Sequence, residues 1–203
     1  MQPDSRVRRE YIDAFTEIVA RIAATLTHTP RRLLPVRMYV AGGAALNFYT
    51  GERVSEDIDA VFSRRVALPR NLEVAHRDAD GAARLLYFDR QYNDSFALLH
   101  EDAHDDSIPL TLSGLEQDVL EVRLLSPLDL AVSKIARLSD QDREDIASLA
   151  RHGMITASAL RRRAEDSMAG HVGELERLRG SIEIAVRIAE DAAGPRLNPR
   201  RIR

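Results

Sequence analysis

Residues 36–62 read VRMYVAGGAALNFYTGERVSEDIDAVF, and this stretch decides the fold. Val36 to Ala41 is an apolar run of strand length. Gly42-Gly43 ends it, and Ala44 to Tyr49 reads as a short helix. A second strand-like run then carries Asp57 and Asp59 on either side of Ile58. Strand residues i and i+2 share a face, so the two carboxylates project together while Ile58 enters the core. Adjacent carboxylates repel, and one is driven towards protonation unless a cation sits between them. Hard oxygen ligands of this kind suit Mg²⁺. The glycines let backbone N–H groups approach phosphate oxygens at a helix N-terminus. Ser55 adds a hydroxyl and Arg53 a cation that suit phosphate, while Asn47 reads as a structural hydrogen-bonding residue.

A strand, a glycine pair and an Asp-x-Asp strand at this spacing resemble the nucleotidyltransferase superfamily, whose best-known member is DNA polymerase β. The resemblance implies an α+β nucleotidyltransferase fold with a mixed β-sheet flanked by helices and a C-terminal helical part. It implies that Gly42 and Gly43 hold a nucleoside triphosphate. It also implies that Asp57 and Asp59 bind the Mg²⁺ ions that activate an acceptor hydroxyl and stabilise the leaving pyrophosphate.

A second signal is a cation. Of the 29 basic residues, 28 are Arg and one is Lys134. Lys is a compact point charge and Arg a planar fork, so a single Lys against that bias marks a position where the two are not interchangeable. Lys134 lies in LLSPLDLAVSKIARLSDQDREDIASLARHG. Here Ser126 is a candidate N-cap, Pro127 fits the first helical position and Asp129 favours the positive helix end. A second helix is expected from near Asp140 to Gly153.

This arrangement is similar to the AbiEii/MenT-type nucleotidyltransferase toxins of bacterial toxin–antitoxin and phage-defence systems. The matching residues are Gly42 to Leu46, Arg53 to Asp59, Lys134, and Asp142 to Asp145, so the likeness spans residues 36 to 150. Gln141 stands where that group often carries a basic residue. The resemblance implies Lys134 as a catalytic and phosphate-binding residue. It further implies an NTP substrate, an RNA acceptor such as the tRNA 3′ end and a cognate antitoxin; a cytoplasmic location is the default expectation from the lack of a membrane-spanning stretch, a signal-peptide apolar core and cysteine. Transfer to a protein side chain or small molecule, or a non-catalytic NTP-binding module, are the alternatives.

The superfamily uses a third carboxylate, and two residues compete for the place. Val119 to Leu124 alternates, so Glu121 shares a strand face with Arg123 and a neighbouring strand would bring it to the metal. Asp145, on the helix after Lys134, is the residue that the toxin resemblance favours. His100-Glu101-Asp102-Ala103-His104 matches the zinc-protease pattern HExxH. Asp105, Asp106, Ser107 and Pro109 come next and do not continue a helix, so a loop between strands is the expectation.

The remaining chain is read around this centre. With 203 residues, 44% of them hydrophobic, there is enough apolar material for a nucleotidyltransferase core over 1–125 and a helical part over 126–203. Cysteine is absent, which excludes disulfides and thiolate metal sites. No apolar stretch is long enough to span a membrane. Tyr11, Ile12, Phe15, Ile18, Val19, Ile22 and Leu26 mark an amphipathic N-terminal helix. Short strands are expected at Arg84–Phe88, Phe96–Leu99 and Ile108–Leu112. Thr156 caps a further helix, and a long one is expected from Val172 to Ala193, stopped by Gly194-Pro195 before the basic tail, Arg196 to Arg203. A net charge of −3 excludes bulk polyanion binding and leaves only local arginine patches for nucleic acid.

Overall fold

Apolar residues at helical spacing fold the N-terminus into α1 (Arg9–Ala24), which buries Tyr11, Ala14, Phe15, Ile18, Val19 and Ile22 along one face. The structure is a computed structural model and describes residues 1–78, 81–94, 97–171 and 173–194. The chain clusters into two compact units, Met1–Ser95 with Asp102–Ser126, and Phe96–Glu101 with Pro127–Arg203. The architecture is α+β, with mixed strands and, among the described residues, six α-helices.

The first unit holds every described strand. β1 (Val36–Val40) pairs antiparallel with β3 (Ala60–Phe62) and parallel with β7 (Leu120–Leu124), whose other edge takes β6 (Ile108–Pro109). A second sheet sets β5 (Ala83–Phe88) between β2 (Asp57–Ile58), which runs parallel to it, and β4 (Glu73–Arg77), which runs antiparallel. β1 is buried at four of its five positions and reads as an apolar run broken only by the exposed Arg37 for that reason. α1 packs on β4 and β5. Phe15 and Phe48 meet edge to face at 4.8 Å, joining α1 to α2 (Gly42–Thr50). From Gly43 onward every residue of α2 is buried, so this helix has no solvent face.

The expected strand Ile108–Leu112 is only two residues long: Leu110 N–H still donates to Val122 O in the β7 register, but Thr111 N–H turns away to Met1 O. Of Phe96–Leu99, Phe96 lies outside the described residues and Ala97 to Leu99 form no strand.

The second unit is helical. It contains α3 (Pro127–Ser133), α4 (Asp140–Arg151), α5 (Ala157–Ser167) and α6 (Leu175–Ala192). Ser139 caps α4 in a reciprocal box with Asp142, and Thr156 Oγ1 accepts from Ala159 N–H to open α5. α6 starts at Leu175, three residues later than the sequence pattern suggested; Val172, Pro195 and the basic tail Arg196 to Arg203 lie outside the described residues. Asp129 does more than favour a helix end: it is buried and accepts from Arg163 Nε at 2.7 Å and Nη2 at 3.1 Å, tying α3 to α5. No described helix is long and apolar enough to cross a membrane.

Candidate active site

The site in the first unit is built where β1 ends. Gly42 has φ +59, a left-handed conformation that lets the chain turn sharply from β1 into α2. Its bare Cα is also a contact surface. A Cβ at Gly42 would lie 2.0 Å from Asp59 Oδ2, and one at Gly43 would lie 2.5 Å from Ser55 Oγ and 3.3 Å from Arg53 Cζ. The glycine pair is therefore covered by the Asp59 carboxylate, the Ser55 hydroxyl and the Arg53 guanidinium.

The Asp57-Ile58-Asp59 segment crosses from one sheet to the other. Asp57 and Ile58 pair with Tyr87 and Phe88 of β5, whereas Asp59 O accepts from Ala41 N–H at 2.8 Å beside β1. Ile58 is fully buried and both carboxylates are partly buried, the alternation expected of a strand with one core face. Ser55 Oγ donates to Asp57 Oδ1 at 2.6 Å. Asp57, Asp59, Ser55, Arg53, Gly42 and Gly43 thus gather at one place, the N-terminus of a buried helix whose first N–H groups favour anions. Asn47 is buried inside α2 and interacts with the Tyr11 hydroxyl.

Glu121 stands apart from this group. The β1–β7 register sets it level with Arg37, four residues before Ala41 and so about 13 Å down the strand from Asp59. Its oxygens accept from Arg37 Nε at 3.2 Å and Arg123 Nη1 at 2.6 Å. Among the described residues no cluster of three or more His, Asp or Glu is arranged to hold a metal. Two carboxylates beside a helix N-terminus nevertheless fit Mg²⁺, which is commonly held by one or two carboxylates, substrate phosphates and water.

Lys134 and Asp145 lie in the second unit. Lys134 sits in the turn after α3 rather than on the helix, with its N–H on Ala131 O and its C=O accepting from Leu138 N–H. Its Nζ is buried, 2.6 Å from Asp145 Oδ2 and 3.9 Å from Asp142 Oδ1. Gln141 Nε2 donates to the other Asp145 oxygen at 3.0 Å, so the amide does here what a basic residue would do by charge. Asp142 is held by Arg137 through two bonds of 2.7 Å and by Ser139. Burial alone would raise its pKa, but these donors overcome that and bring it down to about 2.

The HExxH-like stretch forms turns over Glu101 to Asp106, not a helix, so its two imidazoles do not share a helix face. His104 stacks on Tyr39 at 4.3 Å and meets Asp94 at 3.3 Å.

Two aromatic residues border the site without a signal in the linear pattern. Tyr11 reads as one more core position of α1. Burial raises its pKa, the nearby Asn47 side chain opposes this, and the charges of Asp57 and Asp59 raise it further. Tyr87 is the β5 partner of Asp57 and is 39% exposed, with its pKa raised chiefly by the Asp57 charge. The strand register finds Tyr87, and the packing of α1 on α2, where Tyr11 meets Phe48 edge to face, finds Tyr11.

No curated protein and no solved structure matches this chain. A family model does match, over residues 13–183, a span that includes both the glycine–aspartate cradle and the Lys134–Asp145 pair. The chain belongs to the family described as nucleotidyltransferase of unknown function, DUF6036.

Proposed function

We propose that the protein moves a nucleoside monophosphate from an NTP to an RNA acceptor, the tRNA 3′ end, in the bacterial cytoplasm. There it acts as the toxin of a toxin–antitoxin or phage-defence system, held in check by a cognate antitoxin. The observation that carries the reading is the packing of Asp59 on Gly42 and of Ser55 and Arg53 on Gly43. It joins two carboxylates, a cation and a helix N-terminus at one point, and phosphoryl transfer is catalysed almost entirely by positioning and charge. Membership of a nucleotidyltransferase family supports the chemistry, and the likeness to AbiEii/MenT-type toxins supports the acceptor and the biological role.

In this reading the Gly42 and Gly43 amides and Arg53 hold the triphosphate, and Ser55 fixes the orientation of Asp57. Mg²⁺ bound by Asp57 and Asp59 would lower the pKa of the acceptor hydroxyl and offset charge on the leaving group. The acceptor oxygen bonds the α-phosphorus and the bond to the β-phosphate oxygen breaks. Pyrophosphate leaves with that electron pair, and the hydroxyl proton passes to solvent. Glu121 is left out of the ligand set because its register and its two arginine partners commit it elsewhere. Lys134 and Asp145 enter through the resemblance, as phosphate contact and catalytic carboxylate.

The test incubates the protein with Mg²⁺, each α-³²P-labelled NTP in turn and total bacterial tRNA, beside Asp57→Ala. Label in tRNA with the wild type alone is expected. Label on the protein itself, or equal transfer by a folded Asp57→Ala protein, would overturn the reading.

A further inference from the structure

The groups around Asp57 stand in an order. The Gly42 Cα faces Asp59, Asp57 lies two residues earlier on the strand, and Tyr87 lies beyond it as the β5 neighbour of Asp57. Tyr87 is the only exposed Tyr or Phe among the described residues. Val54 and Leu85, two more of the few exposed large apolar side chains, stand three residues before Asp57 and two before Tyr87. On the same outer face of β4 and β5, Glu73 stands opposite Tyr87, and the small, exposed Ala75 stands opposite Leu85. Single exposed apolar residues need no explanation, but an exposed ring in register with Asp57, with exposed Leu85 next on the same strand face, does.

In-line transfer gives this order a direction. With the triphosphate on the glycine amides, pyrophosphate leaves towards Gly42 and Gly43. The attacking oxygen must then come from the opposite side, past Asp57. That side is where Tyr87 stands. Asp57, Asp89 and Glu56 surround the ring with negative charge, which repels a phosphate but not a neutral planar base. Aromatic side chains stack bases regardless of sequence.

We propose that Tyr87 is the platform on which the terminal nucleobase of the RNA acceptor stacks, an inference that rests on the RNA-transfer reading above. Leu85, two residues earlier on the same strand face, widens that platform. Tyr87 then positions the acceptor and makes no contact with the triphosphate.

The test uses the full chain in Mg²⁺ buffer and a short fluorescein-labelled single-stranded RNA, with anisotropy as readout. The variants are Tyr87→Thr, which removes the ring and keeps a good strand former, and Tyr87→Phe, which keeps the ring. Binding of Mg²⁺–NTP is measured on the same samples. Loss of one stacked base weakens RNA binding about tenfold in Tyr87→Thr, with Tyr87→Phe close to wild type and NTP binding unchanged. RNA binding equal in Tyr87→Thr and wild type, or absent from the wild type, overturns the proposal. A loss of NTP affinity instead would assign the ring to the donor base and overturn it too. The transferase reading fails separately: a wild type that binds RNA through Tyr87 but never binds NTP would keep the platform and sink the chemistry.

Discussion

Replacing Gly42 by alanine tests the site at its tightest point. The new Cβ would stand 2.0 Å from Asp59 Oδ2 and 2.9 Å from its Cγ. To regain ordinary contact the carboxylate must withdraw by about 1.4 Å, or the start of α2 must shift as far. The φ of +59 adds a left-handed penalty of about 1–2 kcal/mol for a residue with a Cβ. Misplacing a reacting group by about 1 Å costs about 10²-fold, so transfer should fall at least that far. The stability loss should lower the thermal midpoint by only a few degrees, about 2–4 °C per kcal/mol at this chain length. Both are read on one preparation, initial rates with labelled NTP and unfolding by circular dichroism. A Gly42→Ala protein that transfers within about threefold of wild type would show that Asp59 is not held where the chemistry needs it.

Two further outcomes concern the second unit. Lys134→Met alone leaves the buried Asp145 charge without its cation and should destabilise by about 3–5 kcal/mol, whereas Lys134→Met with Asp145→Leu should recover most of it in denaturant melts. If the recovered double variant also transfers nucleotide normally, the pair is structural and neither residue takes part in chemistry. Asp142 sets an acid limit: its folded value of about 2 lies below the 3.8 of the free group, so its contribution is complete above pH ~4 and fades as pH falls through 2. That contribution is about 2 kcal/mol, and a urea series from pH 5 to pH 2 should lose it in wild type but not in Asp142→Asn.

What the sequence disclosed was what it encodes locally. The strand ending at Gly42, the helix after it and the alternation at Asp57, Ile58 and Asp59 all depend on near neighbours, and each is present. The Ser139 and Thr156 caps carry a comparable short-range signal. Registers between distant strands carry none. The alternation at Glu121 correctly paired it with Arg123 on one face, but only the β1 register reveals Arg37 opposite and the distance from Asp59. The same blindness hid Tyr87 beside Asp57 and the crossing from one sheet to the other at Asp59. Lys134 was noticeable from composition alone. Its place in a turn was not, because that turn closes through Leu138, a left-handed residue of φ 49 that an ordinary leucine does not announce.

The contact between Gly42 and Asp59 also couples the two positions in descent. While Asp59 is present, a side chain at position 42 must displace its carboxylate. Once Asp59 becomes alanine, the two closest obstacles vanish and only a Cβ at 3.1 Å remains, a crowding that a few tenths of an ångström relieve. The positive φ still favours glycine, but weakly enough for asparagine to be accepted. Loss of the carboxylate therefore relaxes the demand for glycine, whereas loss of the glycine displaces the carboxylate and impairs the site at once.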